Sequence, residues 1–527
     1  MVDGAVNQNT SNSSPILTFE RNMATIAAGG GITFAGKLFL NVFRLITAVI
    51  LARILKADQY GMYSIALSVS NIAVGLAVFG LDSALVRYVA ILTSRRDEEG
   101  IWGTLQVGIG FATLLSVIVG TCLYGLAFYL AQHLFHELRL APLLQLVGVI
   151  VPLLTLSELL AGANRGFKRM DYPVIAQYIF QPIFRLILIL ALAFTGFNVA
   201  LAIITYGLAD LAASLLLLHF LNRRFPLRRP MRAARWDLRA ILKFSAPVWL
   251  SEMLVQFHSN IQQLILGTLN TITGVGIFSA ANQITSVSGQ FSSSINISAK
   301  PVVAELHDRG DLKQLGRIYQ TANKWALMVQ LPVFLIMVLF PVQILSLFGK
   351  SFTEGAIALS ILALADLVNV GTGMGGIIID MTGYTKLKLV NSILRLIVYL
   401  GLDILLIPRW GLMGAAVAAL VGEATVNLLR LGQVFVLFRL IPYNWSFIKP
   451  ITAGVLALTS ILIIKPWLSP NASLLFTVIN AGILLAVYAG ASLLMGLSHE
   501  ELALLDLMRK RARKMVSKGS IGKGLND

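Results

Sequence analysis

Several polar residues of the 527-residue chain lie inside long apolar stretches, where an ionisable side chain is costly and is a functional hypothesis by default. Lys37, Asn41 and Arg44 fall on one face of a helix at about 100° per residue. Glu252, Gln256 and Gln263 share a face in the same way, with Ser259 and Asn260 close by. Arg185 stands 11 residues before Gly196 and Asp210 stands 14 after it, so the two are level on adjacent antiparallel helices. Arg395 and Glu423 flank the Pro408–Gly411 turn at 13 and 12 residues and are level too. Each of these two pairs is expected to form an intralobe salt bridge that locks two helices. Arg44 faces no acid at its own depth on the next segment, because Asp82 sits at a segment end. Headgroups lie about three turns from Arg44, which makes snorkelling hard, and a guanidinium binds phosphate bidentately. For Lys37 the competing expectation is snorkelling. The amides Asn41, Gln256, Asn260 and Gln263 can bind hydroxyl groups of a ligand or hydrogen-bond between helices. His258 is expected to be packed rather than to carry protons.

The elements that position these groups follow from composition. The chain is 57% hydrophobic and 13% charged with a mean hydropathy of +0.78, whereas soluble domains are roughly 25% charged. A soluble fold is excluded. Apolar segments of about the 20 residues needed to cross a bilayer recur at 31–54, 60–82, 104–130, 141–163, 172–195, 197–221, 243–266, 273–297, 325–348, 355–378, 386–407, 411–436, 447–467 and 473–496. The expected fold class is an all-α polytopic membrane protein of about fourteen transmembrane helices. Residues 1–20 are polar and lack a signal-peptide pattern, so residues 1–30 are expected to form a disordered cytosolic tail. The single cysteine, Cys122, permits no intramolecular disulfide, and no Cys/His cluster suggests a metal site. With no P-loop and no catalytic motif, an enzyme is not expected.

Of the 42 Lys and Arg, only Arg53, Lys56, Arg139, Lys350, Arg409 and Lys465 fall on the external side if the N-terminus is cytosolic. Lys37, Arg44, Arg185 and Arg395 stay within segments, and the remaining 32 are cytosolic. This bias sets membrane orientation, so both termini are expected to be cytoplasmic, and the net charge of +17 signals topology rather than nucleic acid. The densest basic stretch, with Pro226 and Pro230, marks a cytosolic linker at 223–242. It separates an N-lobe at 31–222 (helices 1–6) from a C-lobe at 243–440 (helices 7–12), followed by helices 13–14 in 441–497. The basic tail at 498–527 is expected to associate with anionic membrane lipid. External loops are too short for a folded ectodomain, which argues against a membrane glycan polymerase.

The two lobes look like copies. Tyr60-Gly61-Met62-Tyr63-Ser64-Ile65-Ala66 recurs as Val275-Gly276-Ile277-Phe278-Ser279-Ala280-Ala281, a shift of 215. The same shift carries Gly196 onto Gly411, Ala200 onto Ala415, Gly207 onto Gly422, Lys37 onto Glu252 and Asn41 onto Gln256. With six helices per copy the repeat is parallel, as in secondary transporters with a cleft between repeats, and the two polar stripes are expected to line that cleft.

Three stretches carry a family likeness. They are Leu51-Ala52-Arg53-Ile54-Leu55 with Ala57-Asp58-Gln59-Tyr60-Gly61; Pro301 with Glu305, Leu306, Gly310, Asp311 and Leu312; and Ile407-Pro408-Arg409-Trp410-Gly411-Leu412-Met413-Gly414-Ala415-Ala416. Over about residues 30–440 the chain resembles the polysaccharide flippases (Wzx-type O-antigen and exopolysaccharide transporters) of the multidrug/oligosaccharidyl-lipid/polysaccharide superfamily. The resemblance implies transfer of a polyprenyl-diphosphate-linked oligosaccharide from the cytoplasmic to the outer leaflet of a bacterial or archaeal plasma membrane by alternating access. A glycan polymerase and glycosyltransferases are the implied partners. Arg44 and Lys37 would then meet the phosphates, and Asn41, Gln256, Asn260 and Gln263 the sugar hydroxyls. No cofactor is implied beyond a coupling Na⁺ or proton. The family's multidrug exporters place cation-binding acids in the second lobe, which points to Glu252, Asp366 and Asn369. A cation-coupled multidrug exporter of the same superfamily is the alternative.

Overall fold

The computed structural model describes residues 15–194, 196–225, 238–464 and 474–495. The chain runs through α1 (Pro15–Val78), α2 (Leu81–Arg95), α3 (Glu98–Tyr129), α4 (Ala141–Gly166), α5 (Asp171–Pro173), α6 (Gln181–Leu192), α7 (Val199–Arg224) and α8 (Leu238–Leu269). It continues as α9 (Ile272–Asp308), α10 (Leu312–Leu339), α11 (Pro341–Ser346), α12 (Ala356–Thr372), α13 (Gly375–Met381), α14 (Thr385–Phe438), α15 (Ile448–Ile464) and α16 (Leu474–Leu494). A π-helical stretch at Val174–Phe180 joins α5 to α6 into one rod. Among the described residues there is no strand.

Helix covers most of every apolar segment read from the sequence, and among the described residues 10 helices are long and apolar enough to cross a membrane. Two of them hold two segments each. α1 is interrupted at Lys56 (φ 60, ψ 175) and α14 at Gly411 (φ 52, ψ −127). α8 and α9 are 32 and 37 residues long but fall outside those 10, because polar side chains interrupt their apolar surface. α1 begins at Pro15, so residues 15–30 are helical rather than the disordered tail that polarity suggested. Most of the expected linker, residues 226–237, and the tail at 498–527 lie outside the described residues.

Helix starts follow local chemistry. The side chains of Asp97, Asn198 and Asp311 accept from the amides of Gly100 (2.9 Å), Leu201 (3.0 Å) and Gln314 (2.9 Å), supplying partners to amides that the first turn leaves open. Arg96 and Gly310 precede Asp97 and Asp311 by one residue, and both are left-handed at φ 57 and 70.

Chain contacts divide into two compact units. The first takes Met1–Gln290, Leu345–Ala358 and Leu389–Gly422, and the second takes Phe291–Ile344, Leu359–Lys388 and Glu423–Asp527. The segment at 223–242 therefore does not separate the units, since helices on both sides of it share the first. In that unit α2, α3, α4 and α7 pack through Leu81, Leu85, Leu105, Leu159 and Leu217. α3 and α4 approach backbone to backbone, since a Cβ on Gly120 would strike the Gly148 carbonyl and one on Gly148 the Gly120 carbonyl. In the second unit α10 packs with the ends of α9 and α14 around Tyr319, and separately with α15 and α16 around Leu335, Ala453 and Leu484.

The repeat is visible inside the first unit. Gly196 and Gly411, equivalent under the shift of 215, both take positive φ, at 81 and 52. A Cβ on Gly61 would run into the Ile272 carbonyl, and one on Gly276 into the Ala57 carbonyl. Gly276 is Gly61 shifted by 215, and Ile272 is Ala57 shifted by the same amount. The contact is thus reciprocal, as a two-fold relation between copies requires. A methyl group cannot enter either approach without parting backbones, at a cost of about 1–3 kcal/mol. Gly61→Ala and Gly276→Ala should therefore each lower the thermal unfolding midpoint in detergent. Gly125→Ala, where no atom lies within 4 Å, should leave it unchanged. Equal midpoints for all three would show that this contact does not hold the fold.

Candidate functional site

The polar face of α8 lies along the second half of α1. Ser68 Oγ donates to Gln263 Oε1 (2.6 Å), Asn71 Nδ2 to Asn260 Oδ1 (3.1 Å), Gln256 Nε2 to the Asn71 carbonyl (3.3 Å) and Trp249 Nε1 to the Gly75 carbonyl (3.1 Å). Ser83 Oγ, on α2, donates to Glu252 Oε1 (3.1 Å). Positions 249, 252, 256, 260 and 263 recur at three- and four-residue intervals, so one helical face carries all five partners. Asn260 and Gln263 thus take the interhelical role and do not line the cavity described next; Asn260 is buried. Gln256 does line it.

That cavity, of about 270 Å³, is lined by α1, α2, α4, α7 and α8 within the first unit. Its polar lining is Asn71, Asp82, Glu158, Tyr206, Asp210, Glu252 and Gln256, while Val74, Val78, Leu154 and Met253 supply apolar wall. Four carboxylates and no lysine or arginine are in this lining. Isolated acids within a membrane cost about 2.5–3.5 kcal/mol each, so their convergence is a costly feature of the fold. Arginines stand just behind it. Arg165 Nη2 lies 3.9 Å from Asp82 Oδ2, and the Arg44 guanidinium is within electrostatic reach of Glu158, Tyr178 and Tyr206. Among the described residues Arg44 makes no ion pair or hydrogen bond, and its side chain is exposed. Asp210 is 6% exposed; its Oδ1 accepts from Gln181 Nε2 (2.9 Å), and its Oδ2 has no hydrogen-bond partner among the described residues.

The next segment offers Arg44 no acid, but another helix brings one within its electrostatic reach. The acid is Glu158, on α4 rather than on the neighbouring segment. Lys37 is exposed and Asn41 half-buried on the same half of α1, and neither lines the cavity. The Arg185–Asp210 bridge is not formed. Arg185 Nη2 donates to the Tyr63 hydroxyl and its guanidinium lies 4.9 Å over the Tyr206 ring, while Asp210 takes the amide of Gln181 one turn earlier on α6. Equal depth did not imply equal azimuth. Arg395 and Glu423 belong to different units. Arg395 lies 5.7 Å over the Tyr399 ring, and Glu423 Oε2 accepts from Asn427 Nδ2 (3.1 Å).

Glu252 likewise belongs to the first unit, and Asp366 and Asn369 to the second. Asn369 Oδ1 accepts from Asn427 Nδ2 (3.1 Å), which joins it to Glu423, and Asp366 is half-buried on α12. Among the described residues no group of three or more His, Cys, Asp or Glu side chains is placed to hold a metal ion. Two acids escaped the sequence reading. Glu158 lies five residues from a segment end and Asp403 four, where a count along the chain assigns them to the interface. The rule that any acid within an apolar segment is a candidate would have found both.

These contacts predict the energetics of the cluster. In double-mutant cycles read by thermal unfolding, Gln181→Leu with Asp210→Asn should show coupling of about 1 kcal/mol. Arg185→Leu with Asp210→Asn should show less. The reverse order would restore the salt bridge.

Residues 26–307 match the family model described as polysaccharide biosynthesis protein, and residues 247–405 the one described as MatE. Stage V sporulation protein B of Bacillus subtilis (strain 168) is 22% identical over 435 residues, 78% of this chain and 83% of that protein. The probable flippase AglR of Haloferax volcanii is 24% identical over 409 residues, 73% of this chain and 80% of that one. Among solved structures, the lipid II flippase MurJ in an inward closed conformation matches with a TM-score of 0.71 at 13% identity, covering 88% of this chain and 98% of that one. An inward-facing multidrug resistance MATE family transporter of the MOP superfamily matches at 0.65 and 18% identity, over 76% and 94%. Both share the fold. The first family model spans more than half of the chain, over the helices that build the cavity. The chain belongs to the polysaccharide biosynthesis protein family and is a multi-pass membrane transporter of that family, not an enzyme.

Proposed function

We propose that the protein is a flippase that carries a polyprenyl-diphosphate-linked oligosaccharide from the cytoplasmic to the outer leaflet of a prokaryotic plasma membrane by alternating access. The observation that carries this reading is the polar cavity walled by membrane helices in a chain of this family. Its chemistry suits the substrate. Carboxylates and side-chain amides accept hydrogen bonds from sugar hydroxyls, and an exposed arginine that makes no ion pair or hydrogen bond among the described residues suits a phosphate. Asp82, Glu158, Asp210, Glu252, Asn71 and Gln256 take the first role and Arg44 the second, with Lys37 and Asn41 on the same half of α1. Asp82, Glu158 and Glu252 lie within about three turns of segment ends assigned to the cytosol by the Lys/Arg bias, which favours loading from that side and cytoplasmic termini.

A Na⁺ or a proton drives the cycle in this reading, held by Glu252 of the cavity in one unit and by Asp366 with Asn369 in the other. Glycosyltransferases that build the substrate and a polymerase that consumes it are the functional neighbours. A cation-coupled multidrug exporter is favoured by one observation, the all-acidic charge of the cavity lining, which also suits an organic cation.

Arg44→Ala should abolish glycan export in a flippase-deficient strain while the protein remains inserted, and Arg44→Lys should restore part of it. Complementation by Arg44→Ala at the wild-type level would remove the phosphate role. Loss of cationic drug resistance on Glu158→Gln, with glycan export intact, would favour the exporter. In proteoliposomes with and without an ion gradient, Glu252→Gln and Asp366→Asn should each remove ion dependence while sparing substrate binding. Unchanged dependence in both would make these acids structural.

A further inference from the structure

Asp403, on the first half of α14, is 0% exposed. Its Oδ1 accepts from Gln262 Nε2 (2.9 Å), and its Oδ2 has no hydrogen-bond partner among the described residues. The same Gln262 nitrogen also donates to the Ala415 carbonyl (2.9 Å), beyond the Gly411 break. Both hydrogens of that amide are therefore committed, which orients the group with nitrogen toward Asp403. The carboxyl thus receives one neutral hydrogen bond among the described residues, and its second oxygen is buried where α8 meets the two halves of α14.

Among the described residues Asp403 makes no ion pair, and Gln262 is its hydrogen-bond donor. Ionisable groups on the packed elements stand one turn or more away. On α8 His258 meets Tyr399 edge to face at 4.4 Å, and on α14 Arg395 lies 5.7 Å over that same ring. The Tyr399 hydroxyl donates to the Ala419 carbonyl (3.2 Å). A carboxylate here would be a buried charge without a counterion, a state that a protein escapes by neutralising the group.

We propose that Asp403 is a proton-binding site, separate from the acidic cavity, that carries a proton on Oδ2 while α8 and α14 are packed and releases it when they part. One O–H bond forms or breaks, and the side chain changes between neutral and −1. Packing of the two helices and occupancy by the proton are then linked, so a proton taken from one side biases the conformational cycle. The coupling role rests on the transport reading above; the protonated state does not.

The test uses the full chain. Infrared spectra of wild type minus Asp403→Asn at neutral pH should contain the carbonyl band of a protonated carboxyl. Gln262→Leu, which keeps Asp403 and removes its donor, should shift that band, so the assignment does not depend on one variant folding. In proteoliposomes carrying a lipid-linked oligosaccharide, an imposed proton gradient should raise the wild-type flipping rate severalfold. Asp403→Asn should flip at the same rate with and without the gradient. Absence of the band overturns the proton site. A band together with a gradient response of Asp403→Asn equal to wild type overturns the coupling role. A band in a wild-type protein that moves no lipid-linked oligosaccharide supports the site and overturns the substrate reading instead.

Discussion

Every polar side chain between membrane helices must find a partner, a cavity or a proton, because hydrocarbon supplies none. The first unit meets this constraint in three ways. Along α1 and α8 the amides satisfy one another and nearby carbonyls, from Trp249 with Gly75 to Ser68 with Gln263. Where α2, α4 and α7 join them, the packing leaves room and the carboxylates share a cavity. At Asp403 the carboxyl is fully buried, and among the described residues its second oxygen has no partner.

Close helix approach makes these arrangements rigid enough to matter. Between helices in a membrane the hydrophobic effect contributes little, so small residues that let backbones meet do the packing. Gly120 and Gly148 do so between α3 and α4, and Gly61 with Gly276 between the two copies. The reciprocal contact of Gly61 and Gly276 gives a physical reason for a glycine at this place in both copies. In each copy the glycine must face the other copy's carbonyl, and only a residue without a side chain leaves that space.

Much of the fold was legible along the chain. The apolar segments became helices, and the break at Gly411 was visible as a Pro-x-x-Gly turn. The break at Lys56 was visible as the gap between the segments 31–54 and 60–82, although a lysine at φ 60 announces nothing by its type. The candidate site was legible in part. Glu252, Gln256 and Asp210 line the cavity, while Asn260 and Gln263 are consumed by the α1–α8 contact. Counting from a turn measures depth, which is why Arg185 and Asp210 looked paired. It does not measure rotation about the helix axis, and Gln181, one turn away, occupies the position facing Asp210.

The sequence alone determined that this is an all-helical membrane protein with a 215-residue internal repeat, because hydropathy, length and self-similarity are properties of the chain as a line. Tertiary structure decided which polar groups meet. Glu158 and Asp403 look like interface residues when measured along their own helices. Glu158 becomes cavity lining because α1, α7 and α8 pack around its end of α4, and Asp403 becomes buried because the second half of α14 returns after Gly411 to place the Ala415 carbonyl on Gln262. Burial is set by what the other helices cover, and no single segment encodes that.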